Sequence, residues 1–116
     1  DTTLSQYKEV FSMGGHMGAN MGMNMVDSQA FKDATMAQFI MANPGRKEGT
    51  VHLHFNGAFH SDFHQGILWY VQQKQANIRV LTISTVTQED VRKLDKEHLG
   101  RADFIICVPE SMTRTH

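Results

Sequence analysis

Apolar side chains recur at helical spacing near the start of the chain, and this pattern predicts a short amphipathic helix there. The residues that form its apolar face are Leu4, Tyr7, Val10 and Phe11. A second helix is predicted over 27–42, where Asp27 or Ser28 can cap the first turn. Alanines favour this helix, and the residues that form its apolar face are Phe31, Thr35, Met36, Phe39 and Ile40. The Asn-Pro-Gly run at 43–45 ends this helix.

Three later segments have the short, β-branched or alternating composition of strands, and helical segments separate them. These segments are 50–55, 78–86 and 103–108. One intervening helix is predicted to begin near Phe63, capped by Asp62, and another follows Thr87. Alternating strands and helices predict an α/β fold: a three-layer, mainly parallel sheet with right-handed crossovers. Three strands are few for this class, so the sequence predicts an incomplete half of a larger α/β domain.

Residues 1–26 are interpreted as a separate Met/Gly-rich segment, a helical or flexible lid. Five of the eight methionines and four of the nine glycines lie within 13–25. Four glycines disfavour a rigid helix, since each costs about 1 kcal/mol in a helix interior. Thioethers bind Cu(I) and haem iron, so Met17, Met21, Met23 and Met25 are candidate ligands together with His16. A flexible apolar loop is the alternative that this composition favours.

Composition and charge exclude several classes of function. The 116 residues suffice for one domain, and the net charge of -1 leaves no basic stripe for a nucleic acid. No apolar run reaches the roughly 18 residues that a membrane span needs. The single cysteine, Cys107, excludes an internal disulfide, and its apolar neighbours predict a buried strand thiol.

Four of the seven histidines lie between residues 51 and 64. Because side chains alternate along a strand, His52 and His54 share one face of the predicted strand 50–55, either as structural, hydrogen-bonded side chains or facing a ligand. His60 follows Gly57 at the carboxyl end of that strand, where ligands often bind in α/β proteins.

The turn after this strand is the main candidate binding site. Asn56 and Gly57 open it, and Gly57 permits a tight turn and close backbone approach. His64 is placed in the first turn of the next helix, where free amides favour an anion. His60 and His64, four residues apart, could hold a metal or an anionic group. The alternative is a structural turn residue at 60 and a surface residue at 64.

Two motifs resemble the TraB/Tiki/ChaN-like superfamily. The segment 32–40 is similar to its "RDxxMAxxI" helix, and 51–67 is similar to the "GxxH…GI" strand, turn and helix that follow. The likeness is strongest to the ChaN-like branch of haem-binding uptake lipoproteins and covers about 27–110, interpreted as the C-terminal part of such a domain. The departures are Lys32 in place of Arg and an insertion at 61–65. A further motif of the first half of the domain is missing.

The resemblance implies haem as cofactor, bound in iron acquisition at the interface of a dimer. It carries over Gly57 and His60, and more loosely Asp33, as site residues. Iron or propionates would be contacted by His60 and His64, or by Tyr7 with the Met/His segment. It also implies a bacterial protein that is exported, either periplasmic or attached to the outer membrane. We expect the chain to self-associate or to bind the missing N-terminal part.

Other branches of the superfamily resemble metal-dependent proteases or esterases. The competing hypothesis is therefore a hydrolase, with a divalent metal in place of haem and His60 as ligand or base. This hypothesis needs carboxylate partners that the sequence does not visibly supply, so we favour a binding protein without catalytic residues. A third reading is an α/β scaffold whose chemistry belongs to another part of the domain.

Overall fold

The computed structural model describes residues 1–15, 18–43 and 49–113. Within these ranges the helices are α1 (Ser5–Gly15), α2 (Ala19–Ala42) and α3 (Ile67–Lys74), and the strands are β1 (Ile83–Gln88) and β2 (Phe104–Pro109). Single 3-10 turns lie at Ala58–His60, Asp62–His64 and Lys96–His98. None of the described helices is long and apolar enough to cross a bilayer.

Helix α2 is the centre of the fold, and both of its ends are packed. Its first half packs on α1 through Tyr7, Val26 and Ala30, with Phe59 covering the contact. Its second half packs on α3, where the buried residues are Ala37, Ile67 and Val71. These two contacts bury a continuous stripe of α2, so one helix carries two small cores.

The expectation that 13–25 would not form a rigid helix is wrong for the described residues. Met13 lies within α1, which ends at Gly15, and Gly22 lies buried within the 24 residues of α2. The cost of glycine, about 1 kcal/mol, is offset because the adjacent stripe of α2 is buried against α1. His16 and Met17 lie outside the described residues.

The α/β class and the parallel sheet are confirmed. Strand β1 pairs with β2 in parallel, with Ile83 opposite Phe104 and Gln88 opposite Pro109. Among the described residues the sheet has these two strands. Cys107 lies in β2 and is half-buried, with Sγ 3.7 Å from Oε1 of Gln88.

The strand predicted at 50–55 is wrong, since the segment is not part of the sheet. Val51, Leu53 and Phe55 are 85%, 72% and 84% exposed, so neither face of the segment is covered. Alternating side chains suit a strand, but a strand forms only where a neighbour offers hydrogen bonds. The second predicted strand is also shorter, and begins at Ile83.

The two later helices also differ from expectation. Helix α3 begins at Ile67 rather than near Phe63, because Phe63 and His64 take left-handed conformations that no α-helix accommodates. Asp62 does not cap a helix. Its carboxylate instead accepts hydrogen bonds from the Ser84 hydroxyl in β1 and from the Arg101 guanidinium. After Thr87 the chain forms turns and one 3-10 turn in place of the predicted helix.

Candidate functional site

Asp33 is a carboxylate that is fully buried in the middle of α2. A buried carboxylate is costly unless hydrogen bonds satisfy it. The Tyr7 hydroxyl donates to Oδ2 of Asp33 at 2.5 Å, and Nδ1 of His60 lies 2.5 Å from Oδ1. Nε2 of Gln6 adds a longer contact to Oδ2 at 3.4 Å. Asp33 thus joins α1, α2 and the turn that carries His60.

This arrangement fixes the orientation of the His60 ring. A carboxylate accepts hydrogen bonds, so Nδ1 of His60 carries the proton that Asp33 receives. Nε2 is then the ring atom left to meet a ligand, and the side chain is 20% exposed. Histidines that bind metals or act as bases are commonly held by a carboxylate on the other nitrogen. The Asp33–His60 pair has the chemistry of such a supported histidine.

Tyr7 supports the pair as a neutral donor. Burial of its side chain, and then the hydrogen bond to Asp33, raise the pKa of the Tyr7 phenol far above its ordinary value. The hydroxyl therefore keeps its proton and directs it at the carboxylate. Tyr7 was predicted as a ligand-contacting residue, and in this geometry its hydroxyl is committed to Asp33.

Gly66 allows the three segments to meet. Its φ is +54°, and a Cβ at this position would lie 2.8 Å from Nε2 of Gln6, 3.0 Å from Oδ2 of Asp33, and against the carbonyl oxygen of His60. Such distances leave no room for a side chain. Asp33 and the side chains bonded to it, Gln6, Tyr7 and His60, form the Asp33 cluster. This cluster packs only because the "GI" motif supplies a glycine at 66.

The turn before His60 is held by local hydrogen bonds. Nδ2 of Asn56 donates to the Gly57 carbonyl at 2.8 Å and to Oγ of Ser61 at 3.0 Å. The His60 amide also donates to the Gly57 carbonyl, at 2.9 Å. Gly57 itself has φ -64°, which any residue adopts, so this turn does not require glycine for its backbone. Asn56 and Gly57 thus position His60, and their contact with a ligand stays a prediction.

His64 turns away from the Asp33 cluster towards the sheet. Its Nε2 lies 3.3 Å from Oγ1 of Thr82 and 3.4 Å from Oδ1 of Asp103. It belongs to a 3-10 turn and not to the first turn of α3, so the expected amide site for an anion is wrong in position. Among the described residues no three or more His, Cys, Asp or Glu side chains are grouped for a metal ion.

Asp103 holds Thr82 at the start of the sheet, and its contribution to stability should depend on pH. The Thr82 amide donates to it at 2.7 Å and the Thr82 hydroxyl at 2.8 Å, and these bonds hold the pKa of Asp103 below its usual range. Because the folded-state pKa is depressed, this contribution is present at neutral pH and is lost as the pH falls below about 4.

The variant Asp103→Asn is expected to be less stable at pH 7 by about 0.5 kcal/mol, because solvent screening at this exposed carboxylate reduces the value of a hydrogen bond to a charged group. The deficit relative to the unmodified chain should shrink as the pH is lowered to 3. Urea denaturation followed by circular dichroism at several pH values measures it. A deficit that is constant with pH would show that the charge of Asp103 contributes nothing.

An apolar groove lies beside the Asp33 cluster, between α1 and α2. Its volume is about 220 Å³, and its lining residues are Glu9, Val10, Met13, Met25, Gln29 and Phe59. Phe59 connects the groove with the site, because its ring packs edge-on against the His60 ring with centroids 5.5 Å apart. A flat apolar molecule seated in the groove would therefore lie close to His60.

No role was predicted for Gln6, Gly66 was noted only as the glycine of the "GI" motif, and Asp33 was carried over only loosely. A signal for Asp33 was present: it shares the buried stripe of α2 with Ala30 and Ala37. A carboxylate on the apolar face of a helix needs buried partners, and this requirement could have indicated the cluster. Among the remaining predicted ligands, His16 and Met17 lie outside the described residues.

Comparison with known proteins gives one finding. A family model described as "Haem-binding uptake, Tiki superfamily, ChaN" matches residues 1–71. The match includes α1 and α2 and ends within α3, so it starts earlier than the resemblance seen in the motifs and stops before the sheet. It contains every residue of the Asp33 cluster. No curated protein and no solved structure matches the chain.

Proposed function

Since the chain belongs to the ChaN family of haem-binding uptake proteins in the Tiki superfamily, we propose that it binds haem in iron acquisition. The iron ligand in this proposal is Nε2 of His60. The family description speaks of haem-binding uptake, and the identity of the ligand is our inference from the site. Uptake of haem implies a location outside the cytoplasm, which is part of the same proposal.

The observation that carries the proposal is the hydrogen bond from Nδ1 of His60 to the buried Asp33. Haem iron is commonly held by a histidine nitrogen, and a partner on the second ring nitrogen sets the tautomer and makes the ligand more basic. Asp33 supplies this partner from a rigid helix. Tyr7 in turn keeps Asp33 in place, so the ligand atom is oriented before haem arrives.

The groove beside Phe59 supports an apolar planar ligand. At about 220 Å³ it is smaller than the 300 Å³ or more of a typical ligand pocket, so it can cover only one edge of a porphyrin. Thioether and aromatic side chains from Met13, Met25 and Phe59 adapt well to such a ring. We propose that a second copy of the chain covers the rest, which makes the haem-bound form a homodimer.

A second candidate function is a metal-dependent hydrolase. The observation that favours it is again the Asp33–His60 pair, because a carboxylate on Nδ1 also suits a general base or a zinc ligand. A catalytic zinc ion needs about three protein ligands, and the described residues bring no such group together. Turnover of peptide or ester substrates with added Zn²⁺ or Mn²⁺ would favour the hydrolase over the haem protein.

The haem proposal is tested by titration with hemin. The unmodified chain should shift the Soret band, and His60→Ala should give no shift at hemin concentrations that saturate the unmodified chain. The comparison variant is His64→Ala, which removes an imidazole four residues away that contacts Thr82 and Asp103. A full shift in His60→Ala would contradict the assignment. Equal loss in both variants would instead make His64 a second ligand.

A further inference from the structure

Two neighbouring residues take a left-handed backbone conformation shortly after His60. Phe63 has φ +55° and ψ +27°, and His64 has φ +58°. This conformation is unfavourable for a residue with a side chain, and it is rarest for a bulky one such as phenylalanine. A turn strained in this way persists only where surrounding contacts hold it, so the contacts of residues 62–64 identify the groups that maintain it.

Contacts from the β1–β2 region hold this turn. Nη1 of Arg101 donates to Oδ2 of Asp62 at 2.6 Å, and the Ser84 hydroxyl donates to Oδ1 at 2.9 Å. The Phe63 amide donates to the Arg101 carbonyl at 2.7 Å, and the Arg101 guanidinium lies 5.2 Å from the centre of the Phe63 ring. The side chains of Asp62 and Arg101 are 12% and 23% exposed, so water screens their charges only partly. Arg101 therefore binds the turn through both its side chain and its backbone.

The shape of this turn decides whether His60 can stay at Asp33. Nδ1 of His60 meets the buried carboxylate from one side, and Gly66 packs against the same carboxylate. The chain must therefore leave Asp33 after His60 and return to it within residues 61–65, and the left-handed residues make this reversal possible. Relaxation of 63 and 64 to right-handed or extended backbone would change the direction of the chain. His60 and Gly66 could then not both remain at Asp33.

We propose that Arg101 is a positioning residue for His60. By binding Asp62 and Phe63, Arg101 maintains the left-handed turn that keeps Nδ1 of His60 on Asp33. This role belongs to the chain without a ligand, so it goes beyond the haem proposal. Arg101 lies past residue 71, where the family match ends. The region that contains the sheet, which the family model does not match, therefore contributes to the geometry of the His60 site.

The test follows the tautomer of His60 in the full chain without haem. Nitrogen NMR of the chain with isotope-labelled histidine distinguishes a ring protonated at Nδ1 from one protonated at Nε2, and the His60 signals are those that His60→Ala lacks. The unmodified chain should carry the His60 proton at Nδ1, because Asp33 accepts it. In Arg101→Ala we expect this Nδ1 signal to be lost, because the ring leaves Asp33 and takes the tautomer of a free imidazole.

The matched control is Arg92→Ala. Arg92 also pairs with a carboxylate, that of Asp90, at 2.9 and 3.0 Å, but its side chain is 86% exposed, so its removal should leave the His60 signal unchanged. A rescue variant separates positioning from general stability: it adds Phe63→Gly to Arg101→Ala. Glycine adopts left-handed backbone without strain, so the turn no longer depends on Arg101 and the Nδ1 signal should return.

Three results would overturn the inference. They are an unchanged Nδ1 signal in Arg101→Ala, an equal loss in Arg92→Ala, and a loss in Arg101→Ala that Phe63→Gly does not reverse. Should circular dichroism show Arg101→Ala to be unfolded, Asp62→Asn takes its place, since the amide has the same shape but no charge to pair with the guanidinium. The same loss and the same rescue are then expected, and an unchanged signal overturns the inference again.

Hemin affinity gives a second readout, which rests on the haem proposal. Arg101→Ala should weaken hemin binding by about ten-fold, the lower end of the effect of losing a group that supports a metal-bound histidine. If the unmodified chain binds no hemin, the haem proposal fails, and the tautomer of His60 alone decides the role of Arg101.

Discussion

Replacing Asp33 with asparagine is expected to weaken hemin binding by about 10- to 100-fold, the usual effect of losing the group that supports a metal-bound histidine. An amide at this position donates hydrogen bonds as well as accepting them. Its Nδ2 can donate to Nδ1 of His60, which then places the proton on Nε2 and removes the lone pair that iron requires. The isosteric change thus alters the tautomer of His60 while leaving its position unchanged.

The measurement is hemin affinity together with the absorption spectrum of the complex. The control is Asp27→Asn, which makes the same chemical change at an exposed position of the same helix and should alter neither quantity. A merely structural role of Asp33 would change stability but leave the spectrum of the bound fraction intact. Unchanged hemin affinity and spectrum in Asp33→Asn would therefore refute the positioning role.

Replacing Gly66 with alanine is expected to destabilise the fold by about 3 kcal/mol or more, and hemin binding should be lost with it. Two costs add. A side chain at φ +54° is strained by about 1–3 kcal/mol, and the new Cβ would be forced against His60, Gln6 and Asp33, where overpacking costs a similar amount. Together they are a large fraction of the 5–15 kcal/mol by which domains are stable.

The matched control for this variant is Gly100→Ala. Gly100 also has a positive φ, +74°, but no atom lies within 4 Å of the position where its Cβ would be. It therefore carries the cost of strain without the cost of overpacking, and urea denaturation of the two variants separates the two terms. Equal destabilisation in both would show that the crowding at the Asp33 cluster is not a constraint.

The helical part of the fold could be predicted from the sequence, because its signals are local. The apolar spacing around Tyr7 is present in the structure as the buried face of α1. The face predicted for the second helix is wrong: Phe31 and Phe39 are exposed, and the buried stripe of α2 contains Ala30 and Ala37 instead. The extent of α2 could not be predicted, since the stability of its glycine-containing first half comes from packing against α1. Helix propensity counts a glycine such as Gly22 as a cost in stability and takes no account of the packing of α2 on α1.

The sheet could be predicted less well than the helices, because strand pairing is not a local property. The composition of 103–108 predicted a strand, and β2 forms at Phe104–Pro109. The alternation of Val51, Leu53 and Phe55 is equally regular, yet that segment has no place in the sheet. Alternation describes which side chains share a face, whereas a strand also needs a partner backbone, and partners are distant in sequence. Pairing is therefore the part of this fold that the local pattern does not determine.

In the candidate site His60 could be predicted from the sequence, whereas the side chains that hold its ring could not. His60 was identified by its turn and by motif resemblance, although the strand supposed to precede it is absent among the described residues. Its main partner, Asp33, lies 27 positions earlier and was recognised only as a motif residue. The histidine predicted beside it, His64, instead contacts Thr82, because left-handed backbone at 63 and 64 turns its ring towards the sheet.

The hemin complex of His60→Gly gives the sharpest test of whether Nε2 of His60 binds haem iron. Glycine leaves a space the shape of the lost ring while Asp33 remains in place as an acceptor. We expect this variant to lose hemin during gel filtration, and we expect added imidazole to restore retention and the Soret position of the unmodified complex. Hemin with imidazole but no protein is the reference. A wild-type spectrum and full retention in His60→Gly without imidazole would contradict the claim.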